Sequence, residues 1–100
     1  MMKITFLYHS AFLVELEQCS LLFDWYGGMV PDYDQTKPLY VFSSHHHGDH
    51  YSPEIFSLLG MDNVWYVLAT CIRLSARRKQ ALGILEDHVF RVAAGRTLLL

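Results

Sequence analysis

The segment Leu39-Tyr40-Val41-Phe42 opens directly onto Ser43-Ser44-His45-His46-His47-Gly48-Asp49-His50, and this junction leaves little freedom in what the chain can become. A short apolar run without polar alternation reads as a buried strand covered on both faces, as in α/β sheets. Helix signals follow at once. Ser52 suits an N-cap, Pro53 the first helical position, and Glu54 the positive end of the dipole. Ile55, Phe56, Leu58 and Leu59 supply an apolar stripe, and Gly60 a stop. Val64-Trp65-Tyr66-Val67-Leu68 is then a second buried strand.

The flanking segments extend this unit. Residues 3–16 alternate: Ile4, Phe6, Tyr8, Phe12, Val14 and Leu16 share one parity, and Lys3, Thr5, His9, Glu15 and Glu17 the other. Period two predicts two half-buried strands with the first set inward and a turn near His9-Ser10. Leu21-Leu22-Phe23, ending at Asp24, predicts a third strand and an antiparallel meander. A helix is expected over about 72–82, with Leu74, Ala81 and Leu82 inward and Arg73, Arg77 and Arg78 on a solvated face. Val89-Phe90-Arg91-Val92, the turn 93–96 and Thr97-Leu98-Leu99-Leu100 predict a closing hairpin. The order is that of a mixed α/β domain.

Composition removes several function classes. The 100 residues are 52% hydrophobic and carry a net charge of −2, which excludes a disordered chain and argues against a non-specific nucleic-acid binder. Residues 1–50 hold two lysines against six acids and most of the histidines, a balance that suits cations. No apolar run approaches the roughly 18 residues of a membrane span, and His9 and Glu15 interrupt any signal-peptide core. Cys19 and Cys71 form no Cys-x-x-Cys pair and are expected as free thiols in a reducing compartment, hence a cytoplasmic location.

Four histidines within six residues, with an aspartate among them, call for a metal. His45 and His47 are two apart at the end of an extended strand, so their side chains are expected on one side, able to converge on one cation. His46 is expected to point away. Gly48 permits a sharp turn, after which Asp49 and His50 offer an oxygen and a nitrogen. A mixed nitrogen and oxygen set suits zinc, manganese or iron rather than calcium. Two pairs facing different ways suit two metals a few ångströms apart.

His45-x-His47-x-Asp49-His50 resembles the His-x-His-x-Asp-His signature of the metallo-β-lactamase superfamily, which also follows a buried strand and precedes a helix. The opening Met2-Lys3-Ile4-Thr5-Phe6-Leu7-Tyr8-His9-Ser10-Ala11-Phe12-Leu13-Val14-Glu15 is similar to the start of that superfamily's metal-dependent hydrolase branch, and Leu21-Leu22-Phe23-Asp24 to its strand ending in an acid. The resemblance implies that His45 and His47 bind one metal and that Asp49 and His50 bind the other. It implies that Asp49 also accepts a proton from the attacking water. Asp24 would orient the histidines from behind, and His9 would lie at the site rim.

The superfamily's two-metal site takes two further histidines and a bridging aspartate downstream. After His50 this chain offers His88, Asp62 and Asp87, and one histidine cannot fill two places. The expected fold is therefore the N-terminal half of a four-layer αββα sandwich. Residues 1–100 would be a single partial domain, cut within the apolar Leu98-Leu99-Leu100. Its inner sheet face would be covered by a missing C-terminal half or by a second copy. The implied parent is a metal-dependent hydrolase of a small molecule, with two divalent ions, zinc ahead of manganese or iron, cleaving an ester, lactone, amide, thioester or phosphodiester bond. The alternatives are a non-catalytic metal-binding fragment and a self-associating half-domain. The chain alone is expected to be a poor hydrolase.

Overall fold

A computed structural model of the chain describes residues 2–27, 32–48, 50–57 and 63–99. The architecture is α/β. One mixed sheet runs in chain order through β1 (Lys3–Tyr8), β2 (Ala11–Glu15), β3 (Ser20–Phe23), β4 (Leu39–Ser43), β5 (Val64–Ala69) and β6 (Val89–Val92). The first three strands form an antiparallel meander, and β3 to β6 are mutually parallel. One α-helix among the described residues, α1 (Ala76–Leu82), connects β5 to β6.

Leu13, Leu22, Val41 and Tyr66 stand in register across β2 to β5 and are all buried. Ile55, Phe56, Ile72, Leu74 and Ile84 complete this core from the connections. Tyr66 is 1% exposed, and its hydroxyl donates to Ile55 O at 3.2 Å, tying the sheet to the segment after the histidines.

The opposite face carries Phe6, Phe12, Phe23, Phe42, Val67 and Phe90 as one row across all six strands. Phe23 and Phe42 stack at 4.8 Å, while Ile4 and Phe6 are 58% and 60% exposed. The inward parity expected for β1 and β2 is thus reversed up to the register irregularity between Phe6 and Tyr8, beyond which Tyr8 packs against the core as expected. Ala11 and Leu13 face the core, and Ile4, Phe6 and Phe12 face outward, because both parities of β2 are apolar and the packed connections lie on the odd-numbered side. For the same reason β4 is buried on one face only: Tyr40 and Phe42 are half-buried.

Three further expectations change. The segment after the histidines forms a 3₁₀ helix, Pro53–Ser57, closed where Ile55 N–H donates to Ser52 O and Glu54 N–H to Ser52 Oγ. The expected continuation through Leu58, Leu59 and Gly60 lies outside the described residues. Helix α1 starts later than residue 72, because Ser75 caps it by accepting from Arg78 N–H, and Gly83 ends it at φ 72°. Arg73 therefore belongs to a loop and not to a helix face. The closing hairpin is absent among the described residues. After β6 the turn closed by Arg96 N–H to Ala93 O carries the chain over the strand ends, where Leu98 lines a cleft. No helix among the described residues is long and apolar enough to cross a membrane.

Candidate metal centre

The histidines gather where β4 leaves the sheet, at the carboxyl ends of the parallel strands, the usual position for sites in such sheets. Asp24 fixes this corner. Its N–H donates to Phe42 O at 2.8 Å, extending the β3–β4 pairing by one residue. Its carboxylate then accepts from Ser44 N–H at 2.7 Å and from the Ser44 hydroxyl at 2.8 Å. Asp24 adopts φ 50°, a left-handed conformation that aspartate and asparagine tolerate better than most residues.

His50 enters the same corner from the following turn, whose His50 and Tyr51 N–H groups both donate to His47 O at 3.0 Å. His50 Nδ1 is 3.3 Å from Asp24 Oδ2 and 3.5 Å from both Ser10 Oγ and Ser44 Oγ. A carboxylate only accepts, so the neutral ring carries its proton on Nδ1 and keeps a lone pair on Nε2. That carboxylate–imidazole arrangement is the one that orients metal-binding histidines.

The rings of His45 and His47 lie 4.0 Å apart, those of His45 and His46 4.5 Å, and those of His46 and His47 4.7 Å. Each offers a nitrogen, and these atoms fall within 4.8 Å of one another. His46 thus does not point away. The strand ends at Ser43, so residues 45–47 follow a bend and the alternation of an extended chain no longer applies. The His50 ring is 6.3 Å from that of His45, a second position beside the triplet. Asp49 lies outside the described residues.

The other candidates separate. His9, in the β1–β2 turn at φ 42°, meets Tyr26 edge-on at 6.2 Å, and its neighbour Ser10 touches His50. His88 sits at the opposite end of the sheet. It is 9% exposed, stacked on Trp65 at 4.1 Å, with Nδ1 donating to Val64 O at 2.9 Å. That is a packing role at the start of β5, apart from the histidine cluster.

A thiol joins the cluster from β5. Cys71 Sγ is 3.4 Å from His45 Nδ1. The loop that presents it is pinned on both sides, because the Arg91 guanidinium donates to Thr70 O at 3.1 Å and to Ile72 O. A cleft of about 640 Å³ bounded by Asp24, His45, Cys71, Val92 and Leu98 opens above the strand ends. Another of about 530 Å³ is lined by His46, Thr70, Cys71 and Arg73. The register Ser43↔Leu68 places the exits of β4 and β5 side by side, so two consecutive buried strands each followed by a ligand-type residue was the signal in the sequence for Cys71.

The donor chemistry fits a borderline transition metal. Several imidazoles, one of them carboxylate-oriented, and a nearby sulfur match zinc-type ligation better than the all-oxygen shells of calcium or magnesium.

The chain is similar to a UPF0173 metal-dependent hydrolase of Desulforamulus reducens, with 48% identity over 52 residues. The match takes in 49% of this chain and 23% of that protein, so the chain spans only a fraction of its relative's length. No protein-family profile matches the chain, and no solved structure matches it.

Proposed function

We propose that this chain is the metal-binding portion of a metal-dependent hydrolase of the metallo-β-lactamase type, acting on a small molecule. The observation that carries this is the histidine cluster at the carboxyl end of β4, with His50 held by Asp24. The similarity to a metal-dependent hydrolase supports it. In this reading the aromatic sheet face is the inner face of an αββα sandwich, whose other half lies in further sequence.

His45 and His47, the closest ring pair, act as nitrogen donors to one zinc. His50, with its proton fixed on Nδ1, donates from Nε2 to a second metal. By the resemblance, Asp49 would supply an oxygen ligand and accept a proton from the attacking water. When bound, the metals acidify that water and polarise the carbonyl or phosphoryl oxygen of the substrate. The clefts beside the cluster hold the substrate's body, with Phe42 and Val92 as apolar wall.

Calorimetric zinc titration of the purified chain tests this reading. His45→Ala and His47→Ala are expected to weaken binding by more than His46→Ala, with His45→Ala the most damaging because its ring makes the two shortest separations of the triplet, 4.0 Å and 4.5 Å. Equal small losses at all three positions would mean a flexible polyhistidine loop and would overturn the proposal.

A further inference from the structure

Cys71 brings a different ligand chemistry to the histidines. It is exposed to solvent, lines both clefts, and stands 3.4 Å from His45 Nδ1. With Zn–N about 2.0–2.1 Å and Zn–S about 2.3 Å, two ligands on one tetrahedral zinc stand about 3.6 Å apart. The observed separation is close to that spacing, so a shared metal needs little rearrangement. The loop is also prepared for it. Arg91 ties down the carbonyls on either side of Cys71, Thr70 N–H donates to Val92 O at 3.2 Å, and Ile72 N–H donates to Ala69 O at 3.0 Å. A side chain on a backbone held at four points is presented at a fixed place.

We propose that Cys71 donates its sulfur to the metal held by His45, and that this donor selects zinc over manganese. The inference rests on the metal site proposed above and deepens it. A thiolate is a soft ligand that favours zinc, whereas manganese prefers carboxylate, carbonyl and water oxygen. A site of imidazole and carboxylate alone takes either metal. Adding Cys71 tips the preference.

The competing role is positional: Cys71 Sγ could accept a hydrogen bond from His45 Nδ1–H and orient that ring, leaving the donor set without sulfur. Cobalt distinguishes the two. The chain titrated with Co²⁺ is expected to show the near-ultraviolet sulfur-to-cobalt charge-transfer band together with the visible bands of a tetrahedral site. Cys71→Ser and Cys71→Ala should abolish the near-ultraviolet band. They should lower zinc affinity by about 100-fold or more, the upper end of what loss of an orienting partner costs. Manganese affinity should change little. Cys19→Ser should keep the band, and far-ultraviolet circular dichroism should be unchanged in every variant. Cobalt bound in a His45-dependent way without the band, or a band that survives Cys71→Ala, overturns the sulfur ligand and leaves the histidine site standing. Cobalt that does not bind, or binds equally to His45→Ala, overturns the metal site and the sulfur ligand together.

Discussion

Replacing Asp24 with asparagine separates orientation from folding at the candidate site. The substitution preserves shape and tolerates the left-handed φ of 50°. One oxygen remains to accept from Ser44 N–H, now 2.7 Å away. The other becomes an amide nitrogen facing Ser44 Oγ and His50 Nδ1, at present 2.8 Å and 3.3 Å away. The Ser44 hydroxyl can rotate and accept instead of donate. His50 can accept at Nδ1 only by moving its proton to Nε2, and that removes the lone pair a metal needs. Restoring the proton to Nδ1 sets two donors against each other. Rearranging one hydrogen bond costs about 1 kcal/mol of stability, or a fall of about 4–8 °C in Tm for a domain this size. Loss of the orienting acceptor costs about 10–100-fold in metal affinity. Thermal melting and zinc calorimetry at one fixed pH measure both. Wild-type affinity in Asp24→Asn would refute the reasoning. So would an affinity loss in Asp24→Asn that Ser44→Ala reproduces, since the latter disturbs the corner while leaving the Asp24 carboxylate, the nearer partner at 3.3 Å, to accept the His50 proton.

His88→Ala removes a buried donor to Val64 O and the stack on Trp65. It should cost about 1–3 kcal/mol in chemical denaturation while leaving zinc affinity unchanged, and a large loss of affinity would restore His88 as a ligand. Burial, with a smaller contribution from Tyr33, pushes the Tyr66 hydroxyl up from its ordinary pKa. The neutral phenol is thus favoured in the folded state, so its stabilisation is complete below about pH 10 and is lost as pH rises beyond it. Tyr66→Phe should flatten the alkaline fall in stability measured by denaturation between neutral pH and pH values above the tyrosine range, and an unchanged slope would exclude this origin.

Local signals in the sequence travelled well into the structure. Alternation over residues 3–16 located β1, β2 and the His9-Ser10 turn, and apolar runs located β4 and β5 to within a residue or two. What alternation could not decide was direction. Phe12 and Val14 are as apolar as Ala11 and Leu13, and only the packing of Ile55, Ile72 and their neighbours chose the odd-numbered face. The start of α1 was hidden because Ile72 and Leu74 mimic a helical stripe while packing into the core from the loop that precedes the Ser75 cap. The histidines were legible because they are contiguous. The partners that shape them are not: Asp24 lies 26 residues from His50, and Cys71 lies 26 residues from His45. Such pairs exist only once the sheet order is known.

The placement of His88 and His45 on opposite rims of one sheet has a consequence for how such a chain can change. Strand β5 spans six residues, roughly 17 Å at the rise of an extended chain. Substitutions further apart than about 7–10 Å with no shared partner tend to act independently. The packing around Trp65 and His88 can therefore drift to suit temperature or solvent without disturbing the metal corner. Residues lining the cleft around Cys71 and Arg73 can vary while the far rim maintains the fold. Stability and chemistry are inherited on separate ends of the same strands.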